Sequence, residues 1–191
     1  MGREFELKYA ATEAELALLR SRYPQLTPIA METTYYDTPA GTLGKLHWTL
    51  RRRMENGKSV CTLKTPLPDG SRGEWETECG EILDAIEPLC ALGAPKQLAL
   101  LTAGGVEPVC GAKFTRLAGR IDARGCTVEL ALDRGVLTGG GKTLPFAEVE
   151  VELKDGSEAA AVAFAEALAR ELGLRPEPRS KVARARALAQ Q

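Results

Sequence analysis

The chain has 191 residues, 44% hydrophobic and 27% charged, and its 25 basic and 26 acidic side chains cancel to a formal charge of −1. That length suits one domain, and the even balance of charge argues against a general nucleic-acid-coating surface, which carries a basic excess. No apolar run nears the ~20 residues that span a bilayer, no leader peptide opens the chain, and five scattered cysteines with one histidine give little support for zinc or iron–sulfur ligation. A cytoplasmic protein engaging neither membrane nor nucleic acid is expected.

The first strand reads Arg3-Glu4-Phe5-Glu6-Leu7-Lys8-Tyr9, with charged and apolar residues alternating. On a strand, side chains alternate with period two, so Glu4, Glu6 and Lys8 share one face while Phe5, Leu7 and Tyr9 share the other. Thr12 is placed to cap a helix, with Glu15 at the capping-box position; Leu16, Leu19 and Tyr23 form its apolar stripe before Pro24 ends it. A β-rich run from Ile29 to Thr38 follows, then a Gly-containing connection over Ala40–Lys45. A strand from His47 to Met54 meets its return, Ser59 to Thr65, across an Asn56-Gly57 turn.

Arg72 to Glu78 is another strand. Residues 81–104 read as short helices broken at Pro88 and at Gly93-Ala94-Pro95. Strands resume over Val106–Ala123, Thr127–Leu137 and Leu144–Lys154, with a flexible turn at Gly139-Gly140-Gly141 that lacks the Lys-Ser/Thr of a phosphate loop. Ser157 caps an Ala-rich helix to Leu172, ended by Gly173, and a basic segment from Ser180 to Ala189 closes the pattern. Hairpin-linked strands with inserted helices indicate an α+β protein built on an antiparallel sheet or barrel.

Strand parity also sorts the charges. Arg51 shares a face with Arg53, Thr62 with Lys64, Arg72 with Glu74, Glu76 and Glu78, Arg116 with Arg120 and Asp122, Glu129 with Asp133, and Glu148 with Glu150 and Glu152. A solvated face explains any one of these strands. Like charges in triplets at spacing two repel, however, unless a ligand or metal neutralises them. Closing the sheet with its charged face inward accounts for both sets, with helices covering the apolar outside. Neutralising Glu6 or Glu150 is then expected to relieve repulsion and leave the fold intact.

Converging carboxylates suit hard divalent cations such as Mg²⁺ or Mn²⁺, and facing Arg and Lys side chains suit an extended polyanion. Together they supply what phosphoryl transfer needs. Trp48 and Trp75 fall on the apolar parity and read as packing. His47 falls on the Arg51 face.

Glu4-Phe5-Glu6-Leu7-Lys8 resembles the E-x-E-x-K signature of the CYTH superfamily, the triphosphate tunnel metalloenzymes. It is joined in order by Tyr35-Tyr36-Asp37-Thr38, Leu50-Arg51-Arg52-Arg53, Thr62-Leu63-Lys64, Arg72-x-Glu74, Phe114-x-Arg116, Glu129-x3-Asp133, Glu148-x-Glu150-x-Glu152 and Ser180-Lys181. The resemblance covers nearly the whole chain and implies a single CYTH domain over residues 1–191, folded as a closed eight-stranded antiparallel β-barrel with helices outside. It is most similar in pattern to bacterial inorganic triphosphatases, which implies metal-dependent cleavage of triphosphate or another polyphosphate.

By that resemblance Glu4, Glu6, Glu148, Glu150 and Glu152 are the metal ligands, and Lys8, Arg51, Arg53, Lys64, Arg72, Arg116 and Lys181 hold the substrate. Glu4, Glu6 and Lys8 are the catalytic set, with Mg²⁺ or Mn²⁺ as cofactor. Thiamine triphosphate hydrolysis, a class IV-type adenylate cyclase and a non-catalytic polyphosphate- or nucleotide-binding module remain alternatives. Two departures stand out. Ala118 occupies a position where the family often has a second basic residue, for which Arg120 is the available substitute. The CHAD domain carried by some relatives is absent, so the chain is either a stand-alone domain or one excised from a longer parent.

Overall fold

A computed structural model of the protein describes residues 2–3, 5–68 and 72–190, the first two by backbone alone. In chain order these form β1 (Gly2–Arg3), β2 (Glu6–Ala10), α1 (Glu13–Arg22), β3 (Thr27–Asp37), α2 (Thr42–Lys45), β4 (Thr49–Glu55), β5 (Lys58–Pro66) and β6 (Arg72–Glu78). There follow α3 (Ile86–Ala91), α4 (Gln97–Thr102), β7 (Glu107–Ala123), β8 (Cys126–Gly139), β9 (Lys142–Gly156), α5 (Glu158–Leu172), β10 (Arg175–Pro176) and α6 (Lys181–Leu188).

The local signals act as read. Thr12 Oγ1 accepts from the Glu15 amide at 3.3 Å while Glu15 Oε2 accepts from the Thr12 amide at 2.6 Å, a reciprocal cap on α1. Ser157 and Ser180 cap α5 and α6 one way, accepting from the Ala160 and Ala183 amides, and Gly173 ends α5 in the left-handed conformation. Asn56-Gly57 and Gly140-Gly141 both have positive φ at each turn residue, the geometry whose twist suits a two-residue hairpin. The glycines at 140 and 141 thus make a defined tight turn.

All strands join one antiparallel sheet in the order β1-β6-β5-β4-β3-β7-β8-β9-β2-β10. The closed ring of eight expected from the sequence is not formed by the described strands, which make an open sheet of ten. The reason lies at the N-terminus. Gly2 and Arg3 pair with β6, whereas Glu6–Ala10 pair with β9. One short stretch thus serves both sides of the sheet in turn, and neither ladder runs its full length. The sheet still curls enough that β2 to β9 all contribute to one cavity.

Three apolar clusters fix this curvature. On the convex side α1 and α5 bury Leu16, Leu19, Ala161, Ala165 and Leu168 against Val128, Leu130, Leu132, Val149 and Val151. Further round, α3 and α4 cover Leu50, Cys61, Leu63 and Trp75, with Trp48 packed beside them. The third cluster is on the concave side, where α6 brings Ala185 and Leu188 onto Met31, Tyr35, Phe114, Leu137 and Phe146. Part of the sheet's inner surface is therefore apolar and filled by α6, and the charged part is left as a pocket.

Some boundaries depart from expectation. β4 begins at Thr49, and His47 stands before it at φ 58, exposed and off the cavity wall. The left-handed turn after α2 breaks the parity that had put His47 with Arg51. Residues expected as a plain connection carry α2. Pro88 sits inside the first turn of α3 without breaking it, since a proline there removes no helical hydrogen bond.

Candidate active site

Ladder register stacks the charged side chains in rows across the concave face. Glu6, Glu152 and Glu129 are directly opposed on β2, β9 and β8; Lys8 opposes Glu150; Glu148, Asp133 and Arg116 form the next row on β9, β8 and β7. Across the pocket, Thr33 on β3 opposes Arg53, Arg51 opposes Thr62 and then Glu76, and Lys64 opposes Glu74. The cavity they enclose holds about 610 Å³.

Of the residues expected at the site, Glu6, Lys8, Arg51, Arg53, Lys64, Arg72, Arg116, Glu150, Glu152 and Lys181 all line this cavity. Glu4 lies outside the described residues. Glu148 is adjacent but fully buried behind the wall. Ala118 is buried on the wall, whereas Arg120 is exposed and off it, so Arg120 does not take the place of a basic residue there.

The floor is a compact ion network. Lys181 Nζ donates to Glu150 Oε1 at 2.8 Å and to Glu148, and lies 2.7 Å from Asp133 Oδ2. Arg116 grips Asp133 through Nε and NH2, both at 2.7 Å, and reaches Glu150 at 2.5 Å. Arg184 donates to the second oxygen of Glu148. Burial alone would raise the Glu150 carboxyl, but Lys181 and Arg116 outweigh it and hold that group well below its ordinary range. Burial alone would likewise lower the Lys181 amine, yet Glu150, Asp133 and Glu148 keep it above its usual value. Phe114 and Phe146 flank the same ammonium at 5.1 and 5.5 Å from their ring centroids.

The opposite wall is different. Arg53 donates from Nε to Thr33 Oγ1 at 3.0 Å, and its NH1 lies 3.5 Å from the Glu55 carboxylate. Burial, followed by the neighbouring Arg51 charge, lowers its guanidinium to about 10. Arg51 has a buried Nε without a hydrogen-bond partner and lies 3.5 to 3.7 Å from Glu76 and Glu74. Two buried guanidinium groups thus face the cavity under mutual repulsion, which a polyanion would relieve.

A buried acidic cluster of Asp133, Glu148 and Glu150 brings carboxylate oxygens within 4.8 Å of one another and could hold a metal. Lys181, Arg116 and Arg184 already balance those three charges, so an ion there would have to displace them. A second row of carboxylates, Glu6, Glu152 and Glu129, is directly opposed in register, lines the cavity and offers oxygen donors of the kind hard divalent ions take. Lys154 pairs with this row, 2.8 Å from Glu152 and 3.8 Å from Glu129.

Arg184 and Lys154 were not singled out from the sequence. Lys154 continues the alternation of Glu148, Glu150 and Glu152, and Arg184 falls three residues after Lys181 on the same helical face. Both spacings were available as signals.

The comparisons with known proteins come at low identity but wide coverage. An inorganic triphosphatase of Haemophilus influenzae is 27% identical over 164 residues, covering 82% of this chain and 47% of the relative. The chain therefore spans about half the length of that curated relative. A candidate adenylyl cyclase from Hippeastrum in which triphosphatase activity is dominant superposes with a TM-score of 0.69 at 19% identity, over 97% of this chain and 96% of the other. A protein of Pyrococcus horikoshii superposes at 0.62 with 24% identity, over 98% and 99% of the two chains. These likenesses speak to the fold. A family model of the CYTH domain matches residues 2–185, from the first strand into α6, and the chain belongs to that family.

Proposed function

We propose that the cavity binds inorganic triphosphate and, with Mg²⁺ or Mn²⁺, hydrolyses it to pyrophosphate and phosphate. The observation that carries this reading is the Arg51–Arg53 wall: two buried guanidinium groups that press on each other and face an open cavity. A multiply charged anion relieves that pressure, whereas a neutral ligand would not.

In this reading Arg51, Arg53, Lys8 and Lys64 take the phosphate oxygens along one side, and Arg116 and Lys181 meet them at the floor. Thr33 turns the Arg53 fork toward the cavity by accepting from Nε, and NH1 lies 3.5 Å from Glu55, so NH2 is the terminal nitrogen left to meet ligand first. Glu150 orients Lys181 and Arg116 together. Glu6 and Glu152, with Glu129 beside them and Glu4 preceding them in sequence, would hold the divalent ion, while Glu148 anchors α6. When bound, the ion supplies charge neutralisation and a more acidic water. Water adds to a terminal phosphorus, the bridging P–O bond breaks, and the charge that develops on departing pyrophosphate falls on the fixed Arg and Lys groups, which need no reorganisation to receive it. The relatives' names, a triphosphatase and a cyclase with dominant triphosphatase activity, point the same way.

The test is phosphate release from triphosphate, ATP and thiamine triphosphate with either metal. Triphosphate should be preferred, with activity abolished by EDTA. Full activity in excess EDTA, or inactivity on all three compounds with metal present, would overturn the proposal.

A further inference from the structure

The helix that carries Lys181 is eight residues long, too short to hold its shape without tertiary anchors. On the cavity side its anchors are the Lys181 and Arg184 contacts with Glu148. A second anchor lies elsewhere on the helix. Arg186 is five residues beyond Lys181, roughly 140° round the axis, and its NH2 donates to Asp37 Oδ2 at 2.9 Å. Asp37 is 2% exposed, and its carboxylate is itself immobilised. Oδ1 accepts from the Thr38 and Leu43 amides at 2.8 Å each, and Oδ2 accepts from the Gly44 amide at 2.9 Å.

The surroundings are built to this contact. A Cβ at Gly44 would stand 2.0 Å from Arg186 NH1 and 2.9 Å from Asp37 Oδ2. On the opposite flank, a Cβ at Gly139 would stand 2.1 Å from the Ala185 carbonyl oxygen, and one at Gly140 2.5 Å from Ala189 Cα. The helix is thus seated at van der Waals range between two glycine-lined surfaces, with the ion pair on one of them.

We propose that Asp37 and Arg186 are positioning residues: their ion pair sets the rotation and depth of α6, and so places the Lys181 ammonium on the cavity floor. Neither residue lines the cavity. A purely structural ion pair would add stability and leave ligand affinity alone. A positioning pair must move both the order of α6 and the affinity for anion, and the affinity part rests on the triphosphate reading above.

The experiment compares the parent with Arg186→Ala, Arg186→Lys and Gly44→Ala, and with Arg22→Ala as a control that breaks the exposed pair to Glu171. Triphosphate affinity is measured by calorimetry, and amide exchange is followed across residues 181–188. Arg186→Ala should weaken triphosphate binding about tenfold and speed exchange in α6 by a similar factor, since losing the anchor lets the helix sample other seatings. Arg186→Lys should restore most of both, and Arg22→Ala should change neither. Gly44→Ala removes no polar group and suits a helix, so it reports on the same contact even if Arg186→Ala fails to fold. Its added methyl pushes on the guanidinium and should reproduce the loss. Parental exchange and affinity in both Arg186→Ala and Gly44→Ala would overturn the proposal. Faster exchange at parental affinity would make the pair purely structural and overturn the proposal too; if the parent itself binds no triphosphate, the substrate reading falls, and the affinity comparison is made with pyrophosphate and ATP instead.

Discussion

Glu150→Gln tests the floor network most directly. The carboxylate is buried between Lys181, at 2.8 Å, and Arg116, at 2.5 Å. Removing one partner from a buried ion pair costs about 3–5 kcal/mol, because the remaining charge is left without compensation. Here Lys181 keeps Asp133 and Glu148, and Arg116 keeps both oxygens of Asp133, so the loss should sit at the low end, about 3 kcal/mol. For a protein of this size that is about 6–12 °C in Tm.

The pH dependence has a definite sign. Glu150 is held below its ordinary 4.5 when folded, so its contribution is complete above about pH 4.5 and is lost as pH falls through the folded value. The gap in Tm between parent and variant should therefore be full at pH 7 and narrow below about pH 4.5. Thermal melts from pH 7 to pH 3 measure it. Equal Tm values at pH 7, or a gap that widens in acid, would refute the network.

Two further outcomes separate the cavity's groups. Arg53→Met keeps the buried stem and removes the charge, and should raise KM for triphosphate by about 10² with parental Tm or better, because the guanidinium is destabilised in the free protein; steady-state kinetics and melts check it. Glu152→Gln should lower kcat by about 10² with a smaller change in KM and a rightward shift in a Mn²⁺ titration, and a parental kcat at every metal concentration would make that carboxylate a bystander.

The identities of the inner and outer faces were legible in the sequence, as were the helix caps and the tight Asn56-Gly57 turn. These are local properties: alternation with period two is set by the strand backbone, and a cap is set within four residues. The cavity lining by Glu6, Lys8, Arg51, Arg53 and Arg116 agrees with that alternation, although Arg120, which shares the parity of Arg116, is exposed and off the wall. What alternation does not carry is which charges meet. Glu148 and Glu150 are indistinguishable by parity, yet one is sealed behind the wall and the other lines the cavity.

Parity also cast Glu150 as a crowded carboxylate whose neutralisation would be harmless. The structure puts on it Lys181 from 31 residues away and Arg116 from 34. Pairing over such separations depends on strand register and on how α6 docks, and neither leaves a periodic mark in the sequence. The N-terminal stretch makes the same point. Its alternation predicts one strand, but only the positions of β6 and β9 in space decide that its residues split between two neighbours. Composition and period therefore determined a charged inner face that suits a polyanion. The tertiary structure decided which of those charges neutralise one another and which are turned toward the cavity, because electrostatic balance depends on distances of a few ångströms between residues far apart in the chain.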